Sequence, residues 1–347
     1  MKDTRLHLTR RALLRGSAAL AATGSGLLLP GCGREPDGAT AARELTFLTV
    51  LPLTSLTFSP ELLADAGGYF ADVGLAVDFQ STRGTAQAIQ LVLAGSAPLT
   101  RIGQIEAVSH ASNRDAPILN VGTVVKESTI RFVSSATAPL REPRDFLGKT
   151  VGIPSEGGES ETTLDLLLAA AGIDPGGVGR QVVGVGPGVF NLVEQGRIAG
   201  FAVSIDTAKI LERQMPGVVV LRPGEFMTAG AQLYMTAADA LPANRERLER
   251  YLAAIDGALD FMINDDGFDE TLRIMRTKYS FSTLAETTVA KDSLSEYVRV
   301  WTSEGRDNVL RTVPDRWNEG YRDLVRLGQA ASGKDPSAWF TNELLPP

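Results

Sequence analysis

Short apolar runs alternate with amphipathic stretches of about ten residues along most of this chain, and that alternation restricts the fold more than any other feature. Leu45–Leu51 is apolar on both faces, as a strand in a sheet covered on both sides must be. Pro60 opens a helix through Ala71, with Leu62, Leu63, Ala66, Tyr69 and Phe70 inward, and Gly74 ends it before a strand at Leu75–Phe79. A helix over Thr85–Ala94, a strand at Leu99–Ile102, a helix over Gly103–Asn113 and a strand at Ile118–Val125 follow. A second set starts near Lys126, with strands at Arg131–Ser135, Thr150–Ile153, Gln181–Val185, Gly200–Val203 and Val218–Leu221, and helices at Val189–Gln195 and Asp206–Met215. One more strand is expected at Gly230–Thr236. After it come only helices: Asn244–Asn264, Phe268–Tyr279, Leu284–Glu304 and Pro314–Gln329, a block that most economically packs on one of two lobes. The pattern predicts an α/β fold with largely parallel sheets, flanking helices and a helical C-terminal block.

Within that pattern, Lys149–Leu168 has the form of a binding element. Thr150–Ile153 is an apolar strand ending at Pro154, Ser155–Ser160 is small, polar and glycine-bearing, and Leu164, Leu167, Leu168 and Ala171 then mark one helix face. Ser160 is the expected N-cap and Gly172 the expected stop. A helix N-terminus above a strand end presents free backbone N–H groups where open α/β sheets bind ligands. The plain alternative is an ordinary βα loop with solvated glutamates.

The N-terminus speaks to compartment. Thr9-Arg10-Arg11-Ala12-Leu13-Leu14-Arg15 is a twin-arginine export pattern. The Ala- and Gly-rich segment after it is too short and too weakly apolar for a membrane span. It ends in Leu29-Pro30-Gly31-Cys32, which resembles a bacterial lipobox and puts the sole cysteine where lipidation requires it. With one cysteine, no disulfide forms within the chain. The whole chain carries −7, of which residues 1–31 hold +4, so the remainder carries −11. An acidic body argues against nucleic acid as a partner. His110 is the only histidine beyond the leader, on an expected helix, so no Cys/His metal cluster is available and a Ser-His-Asp triad would depend on His110. Gly184-Val185-Gly186-Pro187-Gly188 lacks the third glycine of a dinucleotide fingerprint. No catalytic residue, metal site or cofactor is expected.

Four segments, in order, resemble one family, the bacterial ABC-transporter solute-binding proteins for nitrate, sulfonates, taurine and thiamine pyrimidines. They are Ser59–Val77 with its Pro60, Ala64, Gly68, Phe70, Gly74-Leu75 and Val77; Gly84–Gly95; Arg144-Asp145-Phe146-Leu147-Gly148-Lys149-Thr150-Val151-Gly152; and Asn191–Phe201. The resemblance implies a two-lobe type II periplasmic binding protein fold, with a signal over 1–32, a tether over 33–44, lobe 1 over 45–125 and 227–330, lobe 2 over 126–226, and a tail over 331–347. Crossovers fall near Val125–Thr129 and Pro223–Ala231. It further implies a lipid-anchored monomer outside the cytoplasm that holds a small-molecule ligand between the lobes and serves an ABC permease and ATPase. Ligand contacts carried over from the family are Thr54, Ser55, Phe58, Ser81, Arg83, Gly84, Gly103, Gln104, Gly157, Gly158, Glu159, Ser160, Ser204 and Asp206.

Glu156, Glu159 and Glu161 crowd the α-helix start where an anion would sit. One of them pointing into the cleft disfavours sulfonate or nitrate and eases a pyrimidine- or amine-like ligand. Arg83 and Arg101 pull the other way. Phe58 either stacks on a ring or packs at the lobe edge. Alternatives are an enzyme of the thiamine-pyrimidine biosynthesis type on the same fold, and a sensor or assembly lipoprotein.

Overall fold

The structure, a computed structural model, describes residues 43–346. The expected export residues Arg10 and Arg11, the lipidation site Cys32 and most of the tether lie outside the described residues. Ten strands follow in chain order: β1 (Arg43–Thr49), β2 (Leu75–Ser81), β3 (Leu99–Gly103), β4 (Ile118–Val125), β5 (Ile130–Ser135), β6 (Thr150–Ile153), β7 (Gly179–Val182), β8 (Gly200–Ser204), β9 (Val218–Leu221) and β10 (Gln232–Ala237). Between and after them lie α1 (Ser59–Ala66), α2 (Tyr69–Asp72), α3 (Thr85–Leu93), α4 (Gln104–Arg114), α5 (Glu159–Ala170), α6 (Phe190–Glu194), α7 (Ile205–Gln214), α8 (Leu241–Asn264), α9 (Asp269–Met275), α10 (Ser282–Ala285), α11 (Thr287–Thr302) and α12 (Pro314–Arg326).

The strands form two five-stranded sheets, ordered β2-β1-β3-β10-β4 and β7-β6-β8-β5-β9. In the first, β1 pairs parallel with β2 and β3, while β10 runs antiparallel to both β3 and β4. In the second, β6 pairs parallel with β7 and β8, and β5 runs antiparallel to β8 and β9. Four strands of each sheet therefore share a direction. The reversed one, β5 or β10, is the strand that arrives directly from the other sheet.

Three apolar clusters cover the sheets. On one face of the first sheet, Phe47 stacks on Tyr251 of α8 at 5.4 Å and Tyr251 stacks on Phe70 of α2 at 5.3 Å. A second cluster joins Leu48, Ile102, Leu233 and Met235 of the first sheet to Phe132 and Val151 of the second and to Leu164 and Leu167 of α5. The third places Val133, Phe201 and Val203 against α6 and α7. Gly152 on β6 is a close-packing site: a Cβ there would sit 2.8 Å from Phe201 Cβ and 2.8 Å from Val183 Cγ2.

Several local expectations change. The helix from Pro60 to Ala71 is two helices, because Gly68 adopts φ 84, and Ala66 and Tyr69 are only half-buried. The N-cap of α5 is Gly158 rather than Ser160, since the helix starts at Glu159, and Ala171 is exposed beyond its end. The C-terminal helices do not pack on one sheet domain alone. Helix α8 covers α1 and α2, but α11 packs on α7 beside the second sheet as well as on β4 and the Leu56–Phe58 turn of the first. The final segment continues past the helices: Thr341 N donates to Asn120 O at 2.9 Å, and Trp339 and Phe340 pack on Tyr321 and Trp317. Among the described residues, no helix is long and apolar enough to cross a membrane.

Candidate ligand-binding cleft

The loops after β1, β3, β6 and β8 bring residues of the two sheet domains together. After β1, Ser55 caps the Leu56–Phe58 turn, its Oγ accepting from Thr57 N at 3.3 Å. The same hydroxyl donates to Asp206 Oδ2 at 2.8 Å, and Leu56 N donates to that oxygen at 3.1 Å. Asp206 lies in the first turn of α7, beside the second sheet, and is 5% exposed. Burial raises its carboxyl above the usual range, against the hydrogen bonds from Ser55 and Leu56. Ser204 caps α7 by accepting from Thr207 N at 3.2 Å and is exposed. Thr54 is exposed in the loop.

Arg101 on β3 is 2% exposed. Its guanidinium donates to Thr57 O at 2.7 Å, to both oxygens of Glu61 at 3.2 Å and to Gln232 Oε1 at 2.8 Å. Tyr234 OH donates to Glu61 Oε1 at 2.7 Å, and Gln232 Nε2 reaches Thr129 Oγ1 in the first crossover at 3.2 Å. Burial acts against the Arg101 charge, but Glu61 overrides it and holds the guanidinium above its ordinary value. Phe58 is packed in the core at 3% exposure, with Arg101 Cζ 5.4 Å above its ring. Packing, not ring stacking with a ligand, therefore accounts for Phe58.

At the end of β3, Gly103 precedes α4. A Cβ on Gly103 would collide with Glu106 Oε2, so the missing side chain is the space into which Glu106 folds back. Glu106 Oε2 is buried without a hydrogen-bond partner. Gln104, expected to touch ligand, is 2% exposed, and its amide occupies the space that a side chain at Gly320 of α12 would need. His110 is tied to its own helix, with Nδ1 3.0 Å from Glu106 O.

From the second sheet, Ile153 leads through Pro154 into Ser155–Gly158 and the start of α5. Gly157 takes φ 67 and donates its N–H to Glu161 Oε2 at 2.6 Å. Glu161 also pairs with Arg180 at 3.6 Å. Glu156 is exposed, and Gly158 and Ser160 are half-buried. Glu159 is the first residue of α5 and is half-buried. Burial, and next the charge of Glu106, push its carboxyl up to about 8, against Arg101. Burial raises Glu106 as well. Both residues are half-buried.

The loop after β2 is more peripheral. Ser81 Oγ lies 3.1 Å from Thr49 Oγ1, Thr82 Oγ1 donates to Thr49 O at 3.1 Å, and Arg83 is exposed with its backbone N on Gln87 Oε1 at 2.7 Å. Gly84 is the N-cap of α3.

Two groupings thus emerge: Ser55 and Leu56 with Asp206, and Gly103 with the folded-back Glu106. Glu61 and Glu106 were not singled out in the sequence. A glutamate in a helical first turn ordinarily reads as a solvated dipole partner. The one available signal was Gly103 directly before α4, which leaves a carboxylate room to bend back.

Comparison with known proteins places this architecture. Residues 55–266 match the family model described as NMT1/THI5 like. The riboflavin-binding protein RibY of Chloroflexus aurantiacus is 24% identical over 325 residues, 91% of this chain and 90% of that protein. The formylaminopyrimidine-binding protein of Halalkalibacterium halodurans is 32% identical over 112 residues, 32% of this chain and 33% of that protein. Among solved structures, the ligand-binding component of an ABC-type import system from Staphylococcus aureus superposes with a TM-score of 0.62 at 13% identity, over 87% of this chain and 97% of that one. The shared fold is the two-lobe type II periplasmic binding protein fold.

Proposed function

The chain belongs to the NMT1/THI5-like family, and from that premise we propose that it is the solute-binding component of an ABC-type importer, capturing a small polar organic solute between its two lobes. One observation carries this reading: Asp206 of the second lobe accepts hydrogen bonds from Ser55 and Leu56 of the first, so loops at strand ends of both lobes meet around one cleft. Binding rather than catalysis is the role that cleft supports, with Thr54, Ser55, Gly103, Gly157–Ser160, Ser204 and Asp206 at its rim and Arg83 further out. Lobe 1 comprises 45–125 and 227–330, lobe 2 comprises 126–226, and the two join at Val125–Thr129 and Pro223–Ala231. The riboflavin- and formylaminopyrimidine-binding relatives favour a nitrogen heterocycle over nitrate or a sulfonate. The Arg10-Arg11 pair and Cys32 support twin-arginine export, lipid anchoring of a monomer outside the cytoplasm, and delivery to a permease and ATPase.

A thermal-shift panel of riboflavin, formylaminopyrimidine, taurine, alkanesulfonates and nitrate tests the reading. One compound is expected to stabilise strongly, since a ligand at 100 times its dissociation constant adds about 2.7 kcal/mol. The same compound should shrink the radius of gyration in small-angle scattering. No stabiliser from any of these classes overturns it.

A further inference from the structure

We propose that a cavity between the starts of α4 and α12 binds one small inorganic anion of chloride size. None of the residues at the proposed cleft rim lines it, so this is a second site. Its polar wall is Thr123 of β4, Lys126 of the first crossover, Gln104 at the start of α4, and Glu304, Thr312 and Arg316 around the connection from α11 to α12. The space admits the centre of a water-sized particle over about 10 Å³, which is room for one. Donors dominate the wall. The Lys126 side chain is 0% exposed; its ammonium carries three donors, of which one goes to Arg311 O, and Glu304 stands 3.9 Å away. Asn120 Nδ2 donates to Thr123 Oγ1 at 3.0 Å and to Thr312 Oγ1 at 2.9 Å, and the two hydroxyls lie 2.8 Å apart. One hydroxyl proton lies between them, which leaves the other for the cavity. Gln104 is 2% exposed, and among the described residues its amide has no hydrogen-bond partner. Both helices begin without a side-chain cap, so their positive ends add to the same field.

Acceptors are scarce. Glu304 is the one carboxylate on the wall, and it is shared by Lys126 and by Arg316 at 3.4 Å. The Thr228 hydroxyl, also on the wall, is spent on Asp323 at 2.8 Å. Burial lowers the Lys126 ammonium to about 8, and Glu304 only partly opposes that. A buried ammonium short of counter-charge is costly. Water would need two acceptors for its own protons, whereas an anion needs only the donors that are present. A single-atom anion fits the space; sulfate, a sulfonate or a carboxylate exceeds it. Lys126 belongs to the first crossover and Thr228 and Ala231 to the second, so an anion here braces both connections between the sheets.

The test uses the full folded chain at pH 7 and fixed ionic strength, with sodium chloride exchanged stepwise for sodium gluconate, whose anion is too large for the space. The wild-type thermal midpoint should rise with chloride by about 2 °C or more and then saturate. Lys126→Met should lose that response, and Gln104→Met should need about tenfold more chloride for half of it, a typical value for one hydrogen bond to a charged group. Native circular dichroism checks both variants. Crystals of the wild type grown in bromide should show an anomalous peak beside Lys126 Nζ, a reading that depends on neither variant. A midpoint that follows ionic strength whichever anion supplies it overturns the site. So does an equal chloride response in folded Lys126→Met, or a water in the cavity with no anomalous peak.

Discussion

Arg101 and Glu61 illustrate what single residues contribute to this molecule. Their side chains are 2% and 0% exposed; Arg101 also donates to Thr57 O and Gln232 Oε1, and Glu61 accepts from Tyr234 OH. Glu61→Gln keeps the shape but leaves a buried guanidinium uncompensated, and the expected cost is about 3–5 kcal/mol, read from the urea midpoint. A cost below about 1 kcal/mol would mean that water reaches Arg101. Lys126, in the first crossover, donates to Arg311 O and lies 3.9 Å from Glu304. Burial lowers its ammonium to about 8, against the pull of Glu304. Between about 8 and 10.5 the unfolded chain holds this proton and the folded chain does not, so wild-type stability should rise across that window relative to Lys126→Met. Chemical denaturation at pH 8 and 10 checks it, and parallel curves for the two proteins would refute it. These partners were not legible in the sequence. Glu61 and Lys126 are charged side chains, which by themselves read as solvated, and only the fold reveals that Tyr234 and Arg311 stand over them.

At the level of elements, α11 does more than fill space. Glu296 on its inner face accepts from Arg131 Nη2 at 2.8 Å, Arg222 Nε at 2.8 Å and Arg299 Nη2 at 3.2 Å, while Arg299 Nη1 donates to Glu127 at 2.6 Å. Arg131 starts β5 just after one crossover and Arg222 follows β9 just before the other, so one carboxylate pins both connections between the lobes. Burial would raise the Glu296 carboxyl, but the Arg222 hydrogen bond and the Arg131 charge hold it at about 2. Its contribution is present above about 4.5 and is lost as pH falls toward 2. Glu296→Gln should lower stability at pH 7 by about 3 kcal/mol and alter ligand affinity without touching the ligand, a combination that denaturation and calorimetry on one variant would reveal. Unchanged affinity would confine Glu296 to stability. Element existence was legible because Gly and Pro punctuate the apolar runs; β4, β6 and β9 begin and end where the sequence places them. The split between α1 and α2 was hidden because the apolar spacing continues through Gly67-Gly68. The reach of α11 over both lobes was hidden because an amphipathic helix does not record which surface it covers.

For the whole molecule, the direct polar contact between strand-end loops of the two lobes runs through Asp206. Asp206→Ala removes the acceptor for Ser55 Oγ and Leu56 N, so the ligand-free radius of gyration should increase and ligand affinity should fall. Unchanged scattering would show that α11 and the shared apolar cluster hold the lobes together without Asp206. The two-lobe plan was legible because the strand–helix alternation runs out twice, once near Lys126 and again after β10. The meeting of Ser55 with Asp206 was not, since a contact across the cleft depends on the angle between lobes, which no local pattern encodes.

The reversed strands have a consequence for how this chain is made. Both β5 and β10 lie inside their sheets, and among the described strands β4 pairs only with β10. As a ribosome delivers the chain, residues 43–125 emerge with β4 unable to join the sheet it belongs to, and they wait until residue 237 has appeared. The first lobe to be synthesised is therefore the last to be completed. Truncation after β4 should yield an aggregating fragment rather than a small domain, because the missing strand leaves two open edges at the centre of the sheet.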